Sequence, residues 1–391
     1  MTRSVPLIIV TLGALSAFTP LAVDMYLPAL PALAEDFAAD AGQVQLTLSV
    51  FMAGMAGGQL LYGPVSDRFG RKLPLLAGAL LFVAASLGCA LAPGLDALIG
   101  LRLLQALGGC AGVVIARAMV RDLFAPQEAA RVFSLLMLVT GIAPIVAPLI
   151  GGYLLTWFGW PSIFVMLAGT GALALVAAQI SLPETRPAGG RLTLGSALRS
   201  YGLLFTDRNY VGFALSNGLS MGSLFTYIAG SPFVFISLFG LPAEQFGWLF
   251  GANACAILMA AQVNRRLLRR YGAASLLTAG SAIAAVAALV LVVFAAGGAG
   301  IWGIAPPLTV VVAMTGMVLP NGVACAMASQ GERAGSAAAL LGSLQYLCGG
   351  TAVTLLGLWP AGSAVPMATT MAACAVTGFT TRLLVTRRPA P

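Results

Sequence analysis

The sequence predicts an all-α membrane protein with twelve transmembrane helices in two pseudo-symmetric six-helix bundles. Its composition is the first reason: 59% of the 391 residues are hydrophobic, only 20 are Lys or Arg and 12 are Asp or Glu, and the mean hydropathy is +0.96. Soluble domains are far more polar. The second reason is that apolar runs of membrane-spanning length recur along the chain. The third is that the basic residues fall almost entirely between those runs.

Twelve apolar runs are long enough to cross a bilayer as helices, because a span needs about 20 residues. The seventh run contains Pro232, which predicts a kinked helix followed by an extension. We number the runs as spans 1 to 12, and they cover residues 5–28, 43–65, 73–92, 95–119, 129–155, 161–181, 207–238, 244–264, 273–296, 301–325, 334–358 and 363–385.

The connections between spans alternate in charge. Lys or Arg follows every even-numbered span. In the connections that follow odd-numbered spans, the charged residues are Asp and Glu only. By the positive-inside rule, this alternation predicts that both termini are cytoplasmic. The polar stretch 183–206 predicts a cytoplasmic linker between an N-terminal bundle, 1–182, and a C-terminal bundle, 207–391. Parallel halves of this kind are a known transporter plan, with the substrate bound between them near the midplane.

A membrane enzyme and a channel are weaker alternatives. The chain has no histidine, no HExxH motif and no acidic cluster, and it shows neither a ring of like charge nor a filter loop. The six cysteines lie inside apolar runs without a CxxC pair, so no disulfide, metal site or cofactor is predicted. The net charge of +8 comes from basic residues that border the spans, which argues against a nucleic-acid partner.

Only three charges lie well inside apolar runs: Asp24, Arg102 and Arg117. An ion within the membrane is costly and is therefore a functional candidate. Asp24 and Arg102 lie at similar depth in the outer half, so we expect an ion pair between them. Arg117 lies about 22 Å deeper along span 4. It either faces a cavity near the cytoplasmic mouth or extends its side chain to the cytoplasmic surface.

Four segments resemble a known family. The loop Gly63–Lys72 resembles the signature loop of the major facilitator superfamily. Residues 23–31, 45–49 and 144–152 are similar to the Bcr/CflA (bicyclomycin/chloramphenicol-resistance) subfamily of drug:proton antiporters. The resemblance implies the major facilitator fold and proton-coupled export of drugs or other hydrophobic or amphiphilic molecules from the bacterial inner membrane. We expect a monomer whose partners are protons, drug-like small molecules and membrane lipids.

The resemblance also assigns roles to residues. At the signature loop we expect Asp67 to cap a helix N-terminus and Arg71 to pair with an acid of span 4, forming a cytoplasmic latch between the halves. The latch residues are Gly63, Asp67, Arg68, Gly70, Arg71 and Asp122. The string associated with antiporters in span 5 comprises Pro144, Pro148, Gly151 and Gly152, although Ala147 stands where the family pattern has Gly.

Proton coupling is expected at Asp24, the only acid well inside a span, with Arg102 as its charge partner. Arg102 also begins a string similar to the superfamily motif linked to proton transfer. Aromatic, thioether and amide side chains on the spans suit varied, weakly polar ligands. With Arg117, they form the predicted substrate-binding set of Tyr26, Met52, Gln105, Arg117, Asn217, Phe225, Tyr227, Asn253, Gln345 and Tyr346. The alternative function is proton-coupled transport of a small metabolite such as a sugar, an amino acid or an osmolyte.

Overall fold

The computed structural model describes residues 5–186, 194–360 and 362–385, and over these ranges all the regular structure is helical. Spans 1 to 6 occupy Val5–Asp36, Ala41–Phe69, Lys72–Ala90, Leu95–Leu123, Pro126–Phe158 and Pro161–Ser181. A linker helix, Leu194–Thr206, precedes span 7. Spans 7 to 12 occupy Arg208–Leu238, Ala243–Leu267, Ala273–Ala296, Ile301–Met327, Ala334–Gly357 and Val365–Val385.

Eleven helices within the described residues are long and apolar enough to cross a membrane. Span 12, Val365–Val385, is not among these eleven, and it contains several threonines and Arg382. The hydroxyls of Thr369 and Thr380 donate to helix carbonyls within one turn, which satisfies them inside the helix. Span 12 packs against spans 7 and 9 and so completes the second half of the molecule.

The two halves repeat the same set of helix contacts. In the first half, span 1 packs against spans 4, 5 and 6, and the pairs 2–4, 3–4 and 3–6 are in contact. In the second half, span 7 packs against spans 10, 11 and 12, and the pairs 8–10, 9–10 and 9–12 are in contact. Adding six to each number converts one set into the other. The predicted pair of pseudo-symmetric six-helix bundles is therefore confirmed.

Spans 1 and 7 are irregular near their ends. Span 1 consists of the helices Val5–Ser16 and Phe18–Asp24, a 3-10 turn Leu27–Ala29 and the helix Leu30–Asp36. The predicted end of span 1 at residue 28 is therefore wrong, since proline is tolerated in the first turn of a helix. In span 7, the α-helix ends at Pro232 and continues as a π-helix, Phe233–Leu238, so the predicted extension beyond Pro232 is confirmed.

The halves meet along spans 2 and 11 and along spans 5 and 8. We call the end of the bundle with Arg68 and Arg71 the basic end, and the end with Asp40 and Asp96 the acidic end. At the acidic end the backbones touch: a Cβ added to Gly42 of span 2 would overlap the carbonyl oxygen of Gly357 of span 11. The halves are thus closed against each other at the acidic end.

Candidate transport site

A cavity of about 320 Å³ lies between the halves. Spans 1, 4 and 5 line it on one side and spans 7, 8, 10 and 11 on the other. Its wall is mainly apolar, and its aromatic members are Phe133, Phe225, Tyr227, Phe250 and Tyr346. Asp24 and Arg117 are the two charged residues in this lining. We call this space the central cavity.

Asp24 ends the helix Phe18–Asp24, and its side chain lines the central cavity. The residue is only 4% exposed. Within the described residues it makes no hydrogen bond and no ion pair at 4.0 Å or less. A carboxylate without a partner is unfavourable in such surroundings, whereas a protonated carboxyl carries no charge. The position therefore suits a group that binds and releases a proton.

Arg102 of span 4 is fully buried inside the first half. Its Nη1 donates to the carbonyl oxygen of Ala22 at 3.0 Å and to Oε1 of Gln105, while Nε and Nη2 have no hydrogen-bond partner. The guanidinium carbon lies 4.6, 4.4 and 5.9 Å from the ring centroids of Tyr26, Phe51 and Phe164. Aromatic faces attract a cation electrostatically, so these rings take the place of a counter-ion.

The expected ion pair between Asp24 and Arg102 is not present among the described residues. Arg102 contacts span 1 through the backbone of Ala22, inside the first half. Asp24 faces the central cavity instead. Successive residues of a helix are about 100° apart, so similar depth in the membrane does not place two side chains on the same side of a helix. The direct charge pairing of these two residues is therefore wrong for this conformation.

The predicted substrate-binding set divides into two groups. Arg117, Phe225, Tyr227 and Tyr346 line the central cavity. The other six do not line it, and they lie between helices: Tyr26, Met52, Gln105, Asn217, Asn253 and Gln345.

The amides of the second group satisfy one another and the backbone. Asn217 donates to the carbonyl oxygen of Leu319 at 2.9 Å and accepts from Gln345. Asn253 donates to the hydroxyl of Tyr227 at 3.1 Å, so it supports a cavity residue from behind. Buried amides need such partners. The expectation that these side chains contact substrate is therefore not met in this conformation.

Sequence reasoning missed part of the cavity wall. Phe133, Thr140 and Phe250 line the cavity, but none of them belongs to the predicted set. Phe133 and Phe250 lie in apolar runs, where a cavity-facing phenylalanine has the same local sequence as a lipid-facing one. Thr140 lies one turn before Pro144 on span 5. That spacing along a helix was the only available signal, since residues i and i+4 share a face.

The signature loop forms an ionic cluster at the basic end. Arg71 pairs with Oδ1 of Asp67 at 2.7 Å and with Oδ2 of Asp122 at 3.0 Å. Arg186, which follows span 6, also binds Asp67, at 2.8 Å. The expected contact between Arg71 and Asp122 is thus present. None of these ion pairs reaches the second half, however: two lie within the first half and the third joins Asp67 to Arg186 of the linker. In this conformation they therefore do not connect the two halves as the latch prediction requires.

Asp67 does not cap a helix, because it lies inside span 2. Glu184 has that role for span 3: its carboxylate accepts from the backbone N–H groups of Arg71 at 2.7 Å and Lys72 at 3.0 Å. Burial by itself would raise the pKa of Glu184, but the backbone N–H groups of Arg186, Arg71, Lys72 and Thr185 outweigh it and hold that pKa below its ordinary value. Glu184 was missed because it lies more than a hundred residues from the helix that it caps.

Gly70 makes this arrangement possible. Its φ of +84° is a conformation that glycine adopts easily, as the turn between spans 2 and 3 requires. A Cβ at Gly70 would also lie 2.7 Å from Oε2 of Glu184. The glycine therefore provides both the turn and the space for the capping carboxylate.

A second cavity of about 350 Å³ lies beside this cluster, between spans 2 and 4 on one side and span 11 and the linker helix on the other. Arg117 lines this second cavity as well as the central cavity. Of the two positions left open for Arg117, the cavity-facing one is found.

Residues 12–353 match the family described as Major Facilitator Superfamily, which covers well over half of the chain. The chain belongs to this superfamily. It is a multi-pass membrane transporter rather than an enzyme.

Individual relatives agree with the superfamily match. The chain is 38% identical over 371 residues to an uncharacterized MFS-type transporter, YdgK, of Bacillus subtilis, which covers 94% of this chain and 92% of the relative. It is 33% identical over 388 residues to a bicyclomycin resistance protein homolog of Haemophilus influenzae, and the match covers 99% of this chain and 98% of the relative. A chloramphenicol resistance protein of Pseudomonas aeruginosa is 34% identical over 277 residues, with 70% and 65% covered. The predicted resemblance to this group of proteins is confirmed.

A solved structure shows the common fold directly. The crystal structure of a bacterial homolog of the human lysosomal transporter Spinster superposes with a TM-score of 0.74 at 16% identity. The superposition covers 99% of this chain and 100% of that chain.

In this superfamily member, the span 5 string lies at the acidic end, where helices approach closely. Pro144 and Pro148 are inside the helix Pro126–Phe158. A Cβ at Gly151 would overlap the carbonyl oxygen of Met25, and one at Gly152 would lie 3.0 Å from the carbonyl oxygen of Ala243. Small residues let helix backbones approach. The string therefore packs span 5 against span 1 and span 8, while its connection with antiport stays a prediction.

Proposed function

We propose that this superfamily member is a proton-coupled antiporter that exports drugs or other hydrophobic and amphiphilic small molecules. The observation that carries the proposal is the central cavity, which combines apolar and aromatic walls with one carboxyl, Asp24, that has no partner among the described residues. The names of the relatives from Haemophilus influenzae and Pseudomonas aeruginosa support resistance to bicyclomycin or chloramphenicol as the closest analogy.

In this proposal, Asp24 carries the proton. A proton binds Asp24 from one side of the membrane and leaves to the other side when the halves change their contacts. The substrate occupies the central cavity in the part of the cycle in which Asp24 has released its proton. Arg102 is a positioning residue, because it holds span 1 through the carbonyl oxygen of Ala22. The protein acts as a monomer in the bacterial inner membrane. Both termini lie in the cytoplasm, because Lys and Arg follow the even-numbered spans.

The ionic cluster at the basic end has a conformational role in the same proposal. Asp67, Arg71 and Asp122 fix the connection between spans 2 and 3 against span 4. When the basic end closes, this rigid corner meets span 11 across the second cavity. The cluster therefore acts on the rate of conformational exchange rather than on the binding of substrate.

A transporter of sugars or osmolytes is less well supported. Such substrates need several convergent hydrogen-bond groups. The amides of Asn217, Asn253 and Gln345 are engaged with one another or with neighbouring groups and lie outside the cavity lining.

Reconstitution into proteoliposomes tests the proposed function. A pH gradient imposed across the membrane is expected to drive accumulation of an amphiphilic dye against its concentration gradient, and an uncoupler is expected to stop it. Transport that is indifferent to both the gradient and the uncoupler would exclude proton exchange. A parallel assay with a labelled sugar or amino acid is expected to give no accumulation, and accumulation there would favour the metabolite alternative.

A further inference from the structure

Arg117 lies where the two cavities meet. Its side chain is exposed and lines both the central cavity and the second cavity. Among the residues that the structure describes, Arg117 has neither an ion pair nor a hydrogen bond. A guanidinium inside a span without a counter-ion is costly, and such groups mark binding sites or ion pathways.

Arg121 follows one turn later on the same face of span 4 and lines the second cavity. It too lacks an ion pair within the described part of the chain. The two acids in the lining of the second cavity are already engaged: Asp67 binds Arg71 and Arg186, and Asp122 binds Arg71. The charges of Arg117 and Arg121 are therefore not neutralised by the acids beside them.

The chemistry of the guanidinium group limits what can satisfy these two charges. A guanidinium presents a fork of N–H donors that matches the geometry of a carboxylate or a phosphate. The central cavity that Arg117 lines is mainly apolar and aromatic, with Phe133 on the side of Arg117 and Phe225 and Tyr346 on the opposite side. A ligand that fits both features has an anionic group at one end and an apolar body at the other.

We propose that Arg117 and Arg121 form a subsite for the anionic group of an amphiphilic carboxylate or phosphate whose apolar body lies in the central cavity. This inference deepens the proposed function and rests on it, because it assigns a substrate class to the same transport site. Arg117 contacts the anionic group where the two cavities join, and Arg121 lies one turn closer to the basic end and adds to the attraction.

Binding of a matched fluorescent pair tests the subsite. The probes are N-dansyl-11-aminoundecanoic acid and its uncharged methyl ester, titrated into the full-length protein in a non-ionic detergent. We expect the acid to bind at least tenfold more tightly than the ester, as a charge-assisted pair contributes more than about 1.4 kcal/mol. Arg117→Gln is expected to remove this preference while the affinity for the ester stays within about twofold. Arg121→Gln is expected to reduce the preference partly.

Arg131→Gln is the matched control, because Arg131 is an exposed arginine that lines neither cavity. It is expected to leave both affinities unchanged. Equal loss of acid and ester binding in Arg117→Gln, or an unchanged preference, would overturn the subsite. A membrane lipid has the same anionic chemistry, so the titrations are repeated with phosphatidylglycerol or phosphatidylcholine added. Competition by phosphatidylglycerol alone, lost in Arg117→Gln, would assign the arginines to a lipid headgroup and overturn the substrate assignment.

Transport of the two probes in proteoliposomes distinguishes a failure of the subsite from a failure of the proposed function. If proteoliposomes export the ester under a pH gradient but show no preference for the acid, the function stands and the subsite is wrong. If neither probe is exported under a gradient, the proposed function is wrong, whereas the charge preference measured in detergent is judged by the binding data.

Discussion

Asp24 and Arg102 are two buried charges that the structure treats in different ways. Three aromatic rings and the carbonyl oxygen of Ala22 surround the guanidinium of Arg102 on the inner side of the first half. Asp24 instead faces the central cavity and has no such contacts within the described residues. A permanently charged group can be stabilised by fixed surroundings. A group that must change its charge needs surroundings that change with the conformation.

Asp24→Asn is therefore expected to abolish proton-driven export. The amide resembles the protonated acid in shape and charge, so the binding of uncharged amphiphiles is expected to change by less than about threefold.

The measurement is the release of protons when substrate is added to the protein in weakly buffered detergent. The wild type should release protons and Asp24→Asn should not. Asp40→Asn, which removes an acid at the acidic end, is the control and should behave as the wild type. Undiminished release from Asp24→Asn would place the proton elsewhere.

At the scale of residues, the sequence predicts how deep in the membrane a side chain lies better than it predicts which way that side chain points. The rarity of charge singled out Asp24 and Arg117, and both line the central cavity. The expected pair between Asp24 and Arg102 is absent, because distance along a span does not tell which side of the neighbouring helix a long side chain reaches. Asn217 and Gln345 were expected to contact substrate, but helix–helix packing occupies their hydrogen-bond groups.

At the scale of elements, Glu184 joins the end of span 6 to span 3 at the basic end, because its carboxylate caps the N-terminus of span 3. The carboxylate accepts four backbone N–H groups, including those of Arg71 and Lys72. Glu184→Gln removes the charge that interacts favourably with the N-terminus of span 3, and it is expected to lower stability by about 1 kcal/mol at neutral pH. Differential scanning fluorimetry in detergent measures this as a fall in melting temperature.

The pH dependence of that difference has a defined sign. The pKa of Glu184 is lowered in the folded protein, so its contribution is present above the ordinary pKa of a glutamate and is lost as the pH falls through the lower folded value. The melting temperatures of the wild type and Glu184→Gln should therefore converge below about pH 4. Glu35→Gln, which removes an exposed acid that lies at no helix N-terminus, controls for a general loss of negative charge. A difference that is independent of pH would contradict the capping role of the carboxylate.

Asp67→Asn is expected to slow turnover without weakening binding. The substitution removes the charge that both Arg71 and Arg186 contact, while Arg71 keeps Asp122 and the hydroxyl of Ser66 at 2.7 Å. The corner between spans 2 and 3 thus loosens but stays folded. We expect the transport rate to fall at least fivefold and the affinity in detergent to change less than twofold. Weak binding combined with a normal transport rate would contradict the conformational role.

Most element boundaries follow from apolar runs, and the exceptions have physical causes. Span 1 continues to Asp36 because Pro28 lies in the first turn of a 3-10 helix, where no N–H is needed. Span 12 is helical although it contains several threonines and Arg382, and the hydroxyls of Thr369 and Thr380 bond to carbonyl oxygens of the helix itself. The cap by Glu184 was not predictable, because it depends on how the end of span 6 folds back onto span 3.

At the scale of the whole molecule, two pairs of spans make the most extensive contacts between the halves. The contact between spans 2 and 11 corresponds to the contact between spans 8 and 5, because span 2 of the first half is equivalent to span 8 and span 11 of the second half is equivalent to span 5. Both pairs close at the acidic end through glycines, Gly42 with Gly357 and Gly152 with Ala243. Alternating access requires these contacts to open, and the absence of side chains at the contact keeps the closed state free of steric conflict.

Gly42→Ala is therefore expected to favour the state that is open at the acidic end. The added methyl group cannot fit against the carbonyl oxygen of Gly357, and overlap of this kind costs about 1–3 kcal/mol in packed interiors. A cost of that size shifts the ratio of the two states by roughly fivefold to more than a hundredfold. In a variant with the native cysteines replaced, spin labels at Asp96 and Ala296 report the separation of the halves at the acidic end. Double electron–electron resonance should show a longer mean distance for Gly42→Ala than for its parent.

Gly57→Ala is the matched control, because it adds the same methyl group to the same span where no atom lies within 4 Å. It should leave the distance distribution unchanged, so any shift in Gly42→Ala arises from the contact with span 11 and not from greater helix propensity. Gly42→Ala should also slow transport, since a cycle that seldom closes at the acidic end exposes the central cavity to the opposite side too rarely. A distance distribution identical to that of Gly57→Ala would show that the contact between spans 2 and 11 does not control closure.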